Sequence, residues 1–206
     1  MFESGAAVTV ILGLWIIGIT RVQTTLALYG AQSAALGLMT VHLGVLRAEP
    51  LLVIVGVAVV AVKGLFAPVY LLIAAKSLGC RRDDGVSISP PIQFFGALTG
   101  LALILLLHPL RAALPESALP SVGLLLLGMM VMITRRLALS QIVGFLMLEN
   151  GIFLYTIGQP HTMPMVVEIG VLMDVLAGVM LAGLLAFKIN KTFEHIDVTE
   201  LKELRG

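Results

Sequence analysis

The chain has 206 residues, a formal net charge of +1, 59% hydrophobic residues and 12% charged residues. That is about half the charge of an ordinary soluble domain, and with a mean hydropathy of +1.06 it excludes a water-soluble globular protein. The polar stretches are all short, which excludes an extramembrane catalytic domain and leaves one all-α, polytopic transmembrane helix bundle.

In chain order, the apolar runs predict seven helices, at 5–20, 24–46, 51–78, 92–108, 119–134, 137–158 and 163–189. Each approaches or exceeds the roughly 20 residues that cross a bilayer. The first run is short and follows only Met1 to Ser4, but a signal peptide needs a basic leading region, and none precedes it. It is therefore read as a helix. The second and fourth runs carry His42 and His108 near one surface; the pair permits a bis-histidine haem, yet neither sits in a haem signature, so interfacial histidines are the simpler reading.

The third run carries Lys63 at a depth of roughly 18 Å, counting 1.5 Å per residue. The loop after it, GCRRDDGVSISPP, has the turn residues and mixed charge of a solvated connector. It holds Cys80, the one cysteine, which alone can neither close an internal disulfide nor hold an iron–sulfur cluster. Gly96 and Gly100 form a GxxxG pair in the fourth run, and Gly178 and Ala182 a looser pair in the seventh; both read as close helix packing. No P-loop, dinucleotide-binding turn or metal-ligand cluster is present, so no cofactor is expected in this chain.

Glu149 lies in the sixth run, and Glu168 and Asp174 in the seventh. A carboxylate at the bilayer centre costs roughly 2.5 to 3.5 kcal/mol on lenient insertion scales, so three of them point to a proton path. Glu149 lies about 18 Å and Asp174 about 16 Å from the starts of their helices, near the midplane and level with Lys63, whereas Glu168 is only about 8 Å deep. Glu168 and Asp174 are about 120° apart around the helix axis and so face different neighbours. The competing reading is a structural ion pair, with Lys63 neutralising one acid and the others hydrogen-bonded across helices. One lysine cannot pair every acid, which favours proton handling by the surplus. His161, in the turn QPHTMP, is a candidate for feeding protons at the outer mouth.

With seven spans, Arg21, Lys76, Arg81, Arg82, Arg135, Arg136, Lys188, Lys191, Lys202 and Arg205 fall on one side, against Arg47 and Arg111 on the other. This bias places the N-terminus outside and the C-terminus in the cytoplasm, as expected of a multi-pass protein of the inner membrane. Past Lys188, Phe193, Ile196, Leu201 and Leu204 alternate with charges in an amphipathic tail, where an acidic balance favours a protein partner over lipid.

The segment ITRRLALSQIVGFLMLENGIFLYTIG resembles the second helix of subunit K of respiratory complex I, with its double arginine, glycine and midmembrane acid. The closing IDVTELKELRG is similar to that family's tail, and Asp174 falls where subunit K carries its second membrane glutamate. With MVVEIGVLMDVLAGVM and four helices ahead of the matched region, nearly the whole chain resembles hydrogenase-4 component E. Aligning the double arginine and Gly144 puts the first glutamate of subunit K at Leu146, so Glu149 is one turn displaced on roughly the same face. Lys63 has no counterpart in subunit K.

The resemblance implies three regions: a four-helix membrane extension at 1–118, a subunit K-like three-helix region at 119–189 and a cytoplasmic tail at 190–206. It implies a non-catalytic subunit of an energy-converting complex, such as a group 4 nickel–iron hydrogenase or formate hydrogenlyase, in which Glu149, Asp174, Glu168 and Lys63 serve proton translocation. The expected partners are antiporter-like membrane subunits, a peripheral hydrogenase module carrying the nickel–iron centre and iron–sulfur clusters, and membrane lipid, with no nucleic acid. The rivals are a subunit of an Mrp-type cation/proton antiporter and a structural clamp without an ion path.

Overall fold

The computed structural model describes residues 2–77, 79–83, 85, 87–106 and 115–159. These residues form six helices: α1 Phe2–Gly18, α2 Val22–Leu46, α3 Pro50–Ser77, α4 Pro90–Leu106, α5 Ala118–Thr134 and α6 Ala138–Ile157. They match the first six expected spans with ends shifted by a few residues. No strand occurs among the described residues beyond an isolated antiparallel bridge between Arg21 and Arg82. The expected seventh span, with Glu168 and Asp174, lies outside the described residues, as do His161 and the tail.

α2, α3 and α6, at 25, 28 and 20 residues, are long and apolar enough to cross a membrane. α1, α4 and α5 are equally apolar at 17 residues each, the lower end of the crossing length. The exposed surface of α3 carries Leu51, Ile54, Val57, Leu65, Phe66, Val69 and Ile73, a face suited to hydrocarbon and not to water. The chain is a membrane protein.

α1 packs on α2, α4 and α5, and α2 packs on α1, α3 and α6. These two helices are the middle of the bundle. Ile16 and Ile17 of α1, Leu26 and Tyr29 of α2, Leu71 of α3, Leu127 of α5 and Met147 of α6 share one buried core. Between α2 and α3 the backbones themselves touch. A Cβ on Gly37 would stand 2.8 Å from the Gly56 carbonyl oxygen, and one on Gly30 equally close to that of Gly64. Gly44 closes the seam against Val53. Such small-residue contacts hold membrane helices together where no water remains to drive association. The Gly96 and Gly100 pair meets only side chains, Met130 and Leu126 of α5, so α4 lies further from its neighbour.

α2 ends in a turn that the sequence does not advertise. Glu49 N–H donates to Gly44 O and Ala48 N–H to Val45 O, a Schellman arrangement whose left-handed position, normally glycine, is Ala48 at φ 53°. Pro50 then starts α3 at a position that needs no N–H donor. Within α3, residues Val60–Phe66 form a π-helical segment between α-helical flanks. Uniform hydropathy from 51 to 78 predicted a plain helix, and such wide turns recur at functional sites.

The connections between α1 and α2, α3 and α4, and α5 and α6 are tied together at one end of the bundle. Val22 N–H donates to Arg81 O, Asp83 N–H to Thr20 O, and Ser87 N–H to Thr134 O. This end gathers Arg21, Lys76, Arg81, Arg82, Arg135 and Arg136, the grouping that the alternation of spans requires. Five of these cations are exposed, but Arg135 is not a surface cation: it is 3% exposed. Its Nη2 donates to Ile17 O at 2.7 Å and Ile19 O at 3.0 Å, satisfying carbonyls at the end of α1, and its Nη1 lies 4.0 Å from Asp83 Oδ2. Burial lowers the Arg135 pKa from its ordinary value, and the nearby Asp83 charge opposes that shift.

Candidate functional site

Lys63 sits at the middle of α3 inside the π segment, and Glu149 just past the middle of α6. Lys63 Nζ and Glu149 Oε2 are 3.1 Å apart, with the two side chains only 7% and 4% exposed. The two stand at one level in the bundle, as the depth count from sequence expected of them. Depth could not select a partner for Lys63 from among the acids; the rotation of α3 and α6 about their axes does.

A second set of polar groups lies alongside. Gln32 of α2 donates from Nε2 to Thr9 O of α1 at 2.9 Å, and Asn150 of α6 donates from Nδ2 to Gln32 Oε1 at 3.3 Å and to Ser33 Oγ at 2.9 Å. Thr9, Gln32, Ser33 and Asn150 are all 0% exposed. Thr9 returns its hydroxyl to Ala6 O at 2.7 Å, the local bond by which a threonine satisfies itself inside an apolar helix. The polar chain thus crosses from α1 through α2 to α6 and ends on the residue next to Glu149. Sequence reading singled out neither Gln32 nor Asn150 for a role. The available signal was two amide side chains inside apolar runs, where a polar group without a partner is costly.

Two glycine contacts put these groups in register. Gly64, next to Lys63, approaches Ala34 so closely that a Cβ there would lie 3.3 Å from the alanine Cβ. On α6, a Cβ on Gly144 would stand 2.9 Å from Gly128 O, which holds α6 against α5. The turn of α2 from Gly30 to Ala34 therefore meets α3 beside Lys63 and α6 beside Glu149. Leu146, which the resemblance aligned with the first glutamate of subunit K, is 3% exposed and packs in the core.

The remaining sequence candidates have other placements. Glu168, Asp174 and His161 lie outside the described residues. His42 is half-buried on α2, and His108 is outside the described residues, so no histidine pair is described. Cys80 is half-buried in the α3–α4 connection, its N–H held by Ala75 O at 2.9 Å. Among the described residues no group of three or more His, Cys, Asp or Glu is placed to hold a metal ion. A cavity of about 360 Å³ between α1, α4 and α5, lined by Val10, Leu101, Leu105 and Leu119 with Glu3 and Glu116, shares no residue with the ion pair.

The pair can hold charge in the membrane interior because its two members neutralise each other, and a proton arriving at Glu149 would remove that balance.

No protein-family model matches the chain, and no solved structure matches it. Curated proteins do. The chain is 31% identical over 214 residues to "Uncharacterized protein Rv0085" of Mycobacterium tuberculosis, covering 98% of this chain and 93% of that protein. It is 26% identical over 206 residues to "Hydrogenase-4 component E" of Escherichia coli K12, covering 98% of this chain and 95% of that protein. A protein of the same name from Shigella flexneri matches to the same extent.

Proposed function

We propose that this chain, similar over nearly its full length to hydrogenase-4 component E, is a non-catalytic, multi-pass subunit of a group 4 nickel–iron hydrogenase complex of the cytoplasmic membrane. In this reading the nickel–iron centre and iron–sulfur clusters belong to partner subunits, and formate hydrogenlyase is one assembly of the kind. The chain contributes to proton translocation coupled to electron transfer. The observation that carries this role is the Lys63–Glu149 pair, 3.1 Å apart and buried between membrane-length helices.

Glu149 alternates between an ionised form paired with Lys63 and a protonated form that leaves the ammonium uncompensated. The ammonium then favours a new acid partner or release of the proton. Asp174 at the midplane and Glu168 toward the outer side continue the path, with His161 at its outer mouth. The end carrying Arg21, Arg81, Arg82 and Arg136 faces the cytoplasm, in keeping with the bias of basic residues toward that side.

The test is Glu149→Gln in the native complex. Assembly and hydrogenase turnover of the peripheral module should persist, while proton translocation is abolished or sharply reduced. An assembled variant that pumps at the wild-type rate sinks the proposal. One observation favours the structural-clamp reading: Lys63 Nζ lies 3.1 Å from one oxygen of Glu149, as it would in a purely structural pair. Normal coupling after neutralising Glu149, Glu168 and Asp174 in turn selects that reading instead.

A further inference from the structure

The direction of every hydrogen bond in the chain from Thr9 to Asn150 is dictated by its first member. Thr9 O is a backbone carbonyl and can only accept, so the Gln32 side chain must present its NH2 group to α1. Gln32 Oε1 therefore faces α6, where it too can only accept, and Asn150 must answer with Nδ2. The second hydrogen of Nδ2 goes to Ser33 Oγ. Both amide orientations follow from connectivity and do not depend on telling nitrogen from oxygen. The consequence falls on Asn150 Oδ1, which is turned away from Gln32 and Ser33 and accepts no hydrogen bond among the described residues, although the residue is 0% exposed.

A buried amide oxygen at membrane depth needs a donor, because no bulk water reaches it. The oxygen belongs to the residue after Glu149, and the same turn of α2 that meets Asn150 through Ser33 also meets Gly64, the residue after Lys63. We infer that Asn150 Oδ1 holds an internal water molecule that hydrates the Lys63–Glu149 pair, and that Gln32 is a positioning residue that keeps this oxygen turned toward the water.

Water fits better than a metal cation. Sodium needs several converging oxygens, but here Gln32 Oε1 and Ser33 Oγ already face the Asn150 NH2 group. The chain from Thr9 to Asn150 contains no titratable group, so it orients the water without carrying protons toward α1. Buried waters of this kind satisfy two to four polar partners. The consequence for pumping rests on the proposed role of Glu149; the water itself does not.

The experiment is a cryo-EM map of the native complex at a resolution that shows ordered water, for wild type and Asn150→Leu, with proton translocation per electron measured on each. A peak about 2.8 Å from Oδ1 is expected in wild type and not in Asn150→Leu. Proton translocation per electron should fall several-fold in Asn150→Leu. A wild-type map without the peak, a peak that persists in Asn150→Leu, a sodium-dependent peak, or normal pumping in Asn150→Leu overturns the inference. Because the wild-type map decides by itself, a leucine variant that fails to assemble leaves the test intact. A water peak together with an inert Glu149→Gln substitution would remove the proton-path reading and leave the site.

Discussion

Gly128 of α5 and Gly144 of α6 cross so closely that a Cβ on Gly128 would stand 2.7 Å from the Gly144 carbonyl oxygen. That contact is to backbone, which cannot step aside, so Gly128→Ala should push α6 away from α5 and shift Glu149 with it. Overpacking of this kind costs typically about 1 to 3 kcal/mol. Gly96→Ala is the control, since its Cβ would meet only the flexible end of Met130 at 3.5 Å, and alanine favours the helix by about 1 kcal/mol. Thermal unfolding in detergent should show a loss for Gly128→Ala and no loss for Gly96→Ala. Equal effects would mean that the α5–α6 crossing is looser than this contact requires.

Lys63 and Glu149 should behave as a unit. Removing one partner leaves an uncompensated charge in the membrane interior, so Lys63→Met is expected to cost about 3 to 5 kcal/mol. The double variant Lys63→Met with Glu149→Leu should recover most of that loss, because apolar pairs of similar volume replace buried ion pairs at little cost. A double-mutant cycle on denaturation in detergent measures the coupling. Additive losses would show that the two groups do not stabilise each other in the folded protein.

Arg135 holds the basic end of the bundle together. Arg135→Lys retains the charge but not the planar fork that reaches Ile17 O and Ile19 O together, so a loss of about 1.5 to 3 kcal/mol is expected. Arg135→Ala should lose more, because Asp83, 3% exposed and with neither carboxylate oxygen hydrogen-bonded, would be left without its cation. Adding Asp83→Asn to Arg135→Ala should restore part of the loss. Hydrogen exchange of the Val22 and Asp83 amides gives a local readout, since both bonds cross between the connections that Arg135 joins. Unchanged exchange in Arg135→Ala would contradict this anchoring role.

Six of the expected helices were legible because crossing a bilayer demands an apolar run of near-fixed length, a constraint that acts on each segment separately. The alternation of basic connections was legible for the same reason, as each added span changes sides. The lateral partners were not. Gly30, Gly37 and Gly44 recur every seven residues, a spacing that could have announced the α2–α3 seam, but only the packed helices show that Gly64, Gly56 and Val53 receive them. The double arginine was visible, yet nothing local distinguishes Arg136, exposed and bonded to Ser87, from Arg135, buried against α1.

By itself, then, the sequence determined the membrane environment, the positions of the six described helices, the basic end and the common level of Lys63 and Glu149. Each follows from composition and from counting residues along one axis. The tertiary structure decided that these two residues meet, that α3 widens into a π turn where Lys63 stands, and that Gln32 fixes the orientation of Asn150. Those relations depend on helix order and on rotation about each helix axis, which are settled only when glycine seams bring particular faces into contact.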